Sequence, residues 1–149
     1  RRGYPLSVFE TAVRNLRERG IEVIVHTILG LPGESQEDIL ATMKYLNHRD
    51  IQGIKLQLLH VLKDTDLAQE YLEGKFHVYE REEYLNLVIR CLENLNPEIV
   101  IHRMTGDGPE KLLLAPLWTG RKREVLNLLH HQMKVCDSWQ GKQFHSLPE

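Results

Sequence analysis

Three histidines, His26, His60 and His102, each stand at or near the end of an apolar run. Imidazoles change charge near neutral pH, so they suit proton transfer or contact with a polar substrate. Three of them could also hold a zinc ion, but no H-x-H or HExxH spacing accompanies them. Simple rim packing is the alternative for each ring. A second candidate is Ile28-Leu29-Gly30-Leu31-Pro32-Gly33-Glu34-Ser35. Its glycines allow positive φ and close approach of a ligand, and the N–H groups of a following helix favour an anionic or polar group. An ordinary strand-to-helix turn has the same composition. The third candidate, His102-Arg103-Met104-Thr105-Gly106-Asp107-Gly108, puts a guanidinium on a glycine-rich loop. There Arg103 could clamp a carboxylate or phosphate, or latch onto Asp107. No G-x-x-x-x-G-K-[ST], G-x-G-x-x-G or G-x-S-x-G pattern occurs, which removes support for P-loop, dinucleotide-binding and hydrolase folds.

The elements that position these residues follow from periodicity. Ser7 and Glu10 form an S-x-x-E pattern opening a helix through Phe9, Ala12, Val13 and Leu16, closed by Gly20. Ile21 to about Thr27 reads as a strand. Ser35 and Asp38 cap a helix to about Asn47, and Gly53 leads into a second strand over Ile54–His60. Thr65 caps a short helix through Tyr71. Tyr84, Leu85, Val88, Cys91, Leu92 and Leu95 mark a long helix within 79–95, ended by Asn96-Pro97. Ile99–His102 is a third strand. A short apolar helix around Leu112–Leu114, a last helix from about Arg121 to Val135 and an irregular tail follow.

Alternation of this kind predicts an α/β fold with parallel strands and right-handed crossovers. Three strands are too few to close a barrel and leave two edges, so the chain reads as part of a larger barrel or half-barrel. The carboxyl ends of parallel strands share one rim, which predicts the three histidines around one cleft. Side-chain alternation turns Glu22, His26, Lys55 and Gln57 inward and gives His60 the opposite parity.

The 149 residues carry a formal charge of −2 and 42% hydrophobic side chains, enough for one domain with a buried core. No general basic excess points to duplex nucleic acid, although Arg121-Lys122-Arg123 is a local patch. No apolar run approaches the roughly 20 residues of a membrane span, and no signal peptide opens the chain. The expected location is cytoplasmic, with no membrane partner. Cys91 and Cys136 belong to no CxxC cluster; Cys91 falls among the apolar positions of a helix, and no disulfide is expected. Arg1-Arg2-Gly3-Tyr4-Pro5 runs at once into a helix without a methionine, as a sequence beginning in mid-protein would.

Four segments carry a resemblance. NLRERGIEVIVHTILGLPGES, GIKLQLLHVLKDTDLA, PEIVIHRMTGDGPEKLLLAPLW and DSWQGK together resemble the C-terminal half of YhcC-like radical S-adenosylmethionine (SAM) proteins. These are relatives of the Elongator catalytic-subunit radical domain and, more distantly, of oxygen-independent coproporphyrinogen oxidases. The resemblance implies the C-terminal portion of a radical SAM (β/α)6 partial TIM barrel over 1–103, with an α-helical C-terminal extension over 104–149. It implies SAM and a [4Fe-4S] cluster in the intact protein, the cluster on a CxxxCxxC loop upstream of this sequence. The implied partners are the missing N-terminal half of the barrel, an electron donor of flavodoxin or ferredoxin type, and an RNA substrate through the Elongator kinship.

By position, Ile28, Gly30, Leu31, Pro32, Gly33 and Glu34, with Gln57, Val61 and Leu62, would lie on the cofactor side. His26, His60, Thr65, His102 and Arg103 would lie on the substrate side. The fuller G-x-I-x-G-x-x-E pattern is not met: His26 replaces its first glycine and Gly33 its glutamate. Without the upstream cysteines, these residues alone are expected to bind neither cluster nor SAM tightly and to have no turnover. Two other readings stand beside this one. The first is a non-catalytic α/β module for an anionic small molecule. The second is a scaffold or subunit-contact domain built on the 79–95 helix and the extension.

Overall fold

Parallel pairing of three short apolar strands, each followed by a chain reversal, organises the molecule. The computed structural model describes residues 3–106 and 108–145. In chain order the elements are α1 (Leu6–Arg17), β1 (Ile24–Leu29), α2 (Gln36–Asn47), β2 (Gly53–Leu58), β3 (Val61–Leu62), α3 (Asp66–Leu72), α4 (Arg81–Asn94), β4 (Val100–Arg103), β5 (Leu113–Ala115) and α5 (Lys122–Val135). A 3-10 turn, Leu117–Gly120, precedes α5. The main sheet has the order β1-β2-β4 with every pair parallel.

One side of this sheet is covered. Thr27, Leu29, Ile54, Leu56 and Leu58 are buried, and the apolar ones pack in one core with Ile39, Met43 and Leu46 of α2 and Leu85, Val88 and Leu92 of α4. Val125 and Leu129 of α5 belong to the same core, so the last helix is continuous with the strands it follows. Burial of each such side chain contributes about 1.5–3 kcal/mol. Tyr84 is fully buried, and its hydroxyl donates to the Met104 carbonyl at 2.9 Å, tying α4 to the loop after β4.

Local chemistry accounts for most boundaries. The Ser35 hydroxyl accepts from the Asp38 N–H at 3.1 Å while Asp38 accepts from the Ser35 N–H at 2.9 Å, the reciprocal cap expected from the sequence. Thr65 caps α3 by accepting from the Ala68 N–H. The expected cap at Ser7 does not form. The helix starts two residues earlier, with Pro5 at the N-cap, and Glu10 instead accepts from the Tyr45 hydroxyl and Arg49. Glu22 lies before β1 begins and so has no place on the strand's inward face.

Leu112–Leu114 is not a helix. Leu113–Ala115 pairs antiparallel with Val61–Leu62, over a small core of Val61, Ala68, Val78 and Ala115. Beyond α5, the chain turns back across the end of α4. Gly141 donates its N–H to the Leu92 carbonyl at 3.0 Å, and the Gln140 amide donates to the Asn96 and Ile99 carbonyls.

Candidate functional site

The other side of the sheet is open. Its register sets the side chains in rows, because Cα partners in parallel strands point the same way. Ile24, Gly53 and Val100 form the first row; His26, Lys55 and Arg103 the second; Ile28 and Gln57 the third. Ile24 is 38% exposed, Ile28 47% and Val100 57%, so the face is bare although half of it is apolar. The register shifts between Ile54 and Lys55, and His102 is the extra residue of that bulge. The bulge lets His102 and Arg103, neighbours in sequence, both serve this face. The His102 ring lies over Gly53, its Cδ2 and Nε2 within 2.6 Å of where a β-carbon would be.

At the carboxyl end of β1 the chain turns through Gly30 (φ 85°) and Gly33 (φ 81°). A β-carbon on Gly30 would lie 2.9 Å from the Tyr79 ring, so glycine is required here for both conformation and space. Glu34 folds back and accepts from the Leu31 N–H at 3.3 Å. Burial raises its carboxyl above the ordinary range, and the Leu31 and Gly30 N–H groups oppose that shift. Burial also raises the Tyr79 phenol, with the charge of Glu34 adding to it. Leu31, Pro32 and Gly33 are exposed at the tip.

The helix start expected to attract an anion is already occupied. Asp38 takes the Ser35 N–H, and Glu34 and Glu37 lie beside it. Three carboxylates at one helix N-terminus satisfy the local dipole and repel a further negative group.

The three histidines are placed differently. His26 and His102 stand on the open face, on either side of β2. His60 follows the end of β2, and its ring packs against Gly106 and Gly108, whose β-carbons would meet it at 2.4 and 3.0 Å. Its opposite parity is thus resolved by departure from the strand. Thr65 is placed at the start of α3, its hydroxyl donating to the Leu62 carbonyl. Val61 is wholly buried in the small core, while Leu62 is half-buried. Asp107, the alternative partner for Arg103, lies outside the described residues. Alternation turns Lys55 inward, and its register between His26 and Arg103 is a feature that pattern alone does not supply.

Residues 51–135 match the radical SAM C-terminal domain family. The chain belongs to that family. It is 38% identical over 148 residues to the uncharacterized protein YtqA of Bacillus subtilis, covering 99% of this chain and 46% of that one. It is 32% identical over 117 residues to the protein YhcC of Escherichia coli, covering 78% of this chain and 38% of that one. The Elp3 structure from the archaeon Methanocaldococcus infernus superposes with a TM-score of 0.77 at 20% identity, over 94% of this chain and 33% of that one. The chain therefore has the fold of the C-terminal part of a radical SAM barrel, and it spans less than half the length of these curated relatives.

For a radical SAM domain, fit to the cofactors can be tested on the residues present. Cys91 is fully buried in the core, its thiol pushed up to about 12 by burial, and Cys136 is exposed at the opposite end of α5 from the rim. Among the described residues no group of three His, Cys, Asp or Glu side chains could hold a metal ion. The residues present thus do not fit an iron–sulfur cluster. The open face does suit a nucleoside: Ile28 offers an apolar surface, Gln57 beside it an amide, and the Gly30 turn exposed backbone. Among the described residues no helix is long and apolar enough to cross a membrane.

Proposed function

We propose that this radical SAM domain works within a longer protein as the carboxyl-terminal wall of its reaction chamber. A cluster held by residues outside this chain would give one electron to bound SAM, and the chemistry supplied would be hydrogen abstraction from a substrate by a 5′-deoxyadenosyl radical, with methionine as the leaving group. The family match over 51–135, together with a sheet face left bare toward the barrel axis, carries this reading.

The chain's own part is to bind and orient. Ile28 and the turn Gly30-Leu31-Pro32-Gly33-Glu34 would flank the adenosine, with the Gln57 amide as a donor and acceptor and Leu62 at the margin. Val61 would act from beneath, by setting the position of Leu62. His26, His102 and Arg103 would face the substrate, while His60 and Thr65 would hold the rim loops in place. The bare apolar rows would be covered by the rest of the barrel, which keeps water from a reactive intermediate. An RNA substrate is the finer part of the proposal and rests on the Elongator kinship. The competing reading, a non-catalytic module that uses the histidine rim for an anionic small molecule, does not account for the family match over 51–135.

The test is anaerobic reconstitution of the intact protein with iron and sulfide, followed by reduction with SAM. The expected result is 5′-deoxyadenosine in stoichiometric or greater amount. A reconstituted, reduced protein that cleaves no SAM would overturn the reading.

A further inference from the structure

The second row of the open face consists entirely of groups that are cationic or can become so. His26 is the register partner of Lys55, Lys55 is the partner of Arg103, and the bulge adds His102 beside them. Adjacent strands lie about 4.8 Å apart, so the row spans roughly 10 Å with the lysine at its centre. No strand position on this face bears a carboxylate; its other members are Ile24, Ile28, Gly53, Gln57 and Val100. Among the described residues Lys55 makes no ion pair or side-chain hydrogen bond. Gly53, one step back along β2, has no side chain, and the His102 ring fills the space above it, which sets that imidazole beside the row.

We propose that this row is a phosphate site, with Lys55 as its centre and the imidazoles of His26 and His102 on its flanks. The assignment rests on the reading above only in taking the phosphate to be part of the substrate that enters the chamber. A tetrahedral anion presents oxygens in several directions and suits donors arriving from three strands. A planar carboxylate is met better by a single guanidinium fork. A lysine acts here as a point charge with three donors, a familiar arrangement for phosphate.

The experiment uses the intact protein and the variants Lys55→Met and Lys55→Arg. Inorganic phosphate, at ionic strength matched with chloride, is expected to raise the thermal midpoint of the parent and of Lys55→Arg but not of Lys55→Met. Binding of a labelled RNA oligonucleotide is expected to weaken about tenfold in Lys55→Met, the size of one charge-assisted contact. The KM for SAM in substrate-free cleavage should stay unchanged. A raised KM for SAM with RNA and phosphate binding intact would assign the row to the cofactor's carboxylate and overturn the proposal. Equal phosphate protection in Lys55→Met, or none in the parent, would overturn it too. If phosphate protection depends on Lys55 in a protein that never cleaves SAM, the anion site stands and only the radical reading falls.

Discussion

The His102 ring occupies the space that a side chain on Gly53 would need, with two ring atoms 2.6 Å from the missing β-carbon. A bulge in β4 and a glycine in β2 therefore form one device: the first aims the imidazole, the second leaves room for it.

Gly53→Ala should displace that ring. The Val100 carbonyl, 3.1 Å from the added carbon, must also give way slightly, and the expected cost is about 1 kcal/mol in urea unfolding. In a His102→Ala background the same substitution should cost at least about 0.5 kcal/mol less, the coupling expected of two groups in contact. Equal costs in both backgrounds would show that the two residues do not share this space.

Gly30→Ala tests the turn at the rim. Positive φ alone should cost about 1–2 kcal/mol. The clash with the Tyr79 ring should add to it. Replacing Tyr79 with alanine first should remove the second part and leave the first. A full-sized loss in the Tyr79→Ala protein would place the whole effect in the backbone.

Glu34 predicts a pH dependence. Its carboxyl is raised in the folded chain, chiefly by burial, so the folded state holds its proton more tightly than the unfolded chain does. Stability from this group is complete below the unfolded value and is lost as pH rises through the folded one. Glu34→Gln keeps an acceptor for the Leu31 N–H but removes the titration. Its stability relative to the parent should therefore improve between about pH 4 and pH 7, measured by urea unfolding at several pH values. A constant difference across that range would contradict the burial of the charge.

Periodicity was enough for α2, α4, α5 and the three parallel strands, because each presents several apolar residues to one core. It failed for the β3–β5 pair. Strands of two and three residues have no period to detect, and Leu112-Leu113-Leu114 is equally apolar as helix or strand. In the site, the Gly30 turn was visible because glycine and proline are local signals. The departure of His60 was not, since parity holds only while the strand continues. The row through Lys55 was also out of reach: alternation tells which side chains share a side, but only register tells which of them are neighbours.

The segment Asp137–Lys142 gives the recognisable DSWQGK signature an architectural meaning. Asp137 adopts a left-handed conformation (φ 48°) and its carbonyl receives the Lys142 ammonium, whose charge also lies 5.0 Å from the Trp139 ring centroid. Ser138 reaches Glu93, Gln140 grips two carbonyls where α4 passes into β4, and Gly141 leans on Pro97 with φ 84°. Each letter of that signature is thus spent on a buckle across one seam, far from the rim. A truncation after α5 made for convenience of expression would unfasten the strand that carries His102, and drift in the signature would be limited by carpentry even if the chemistry changed.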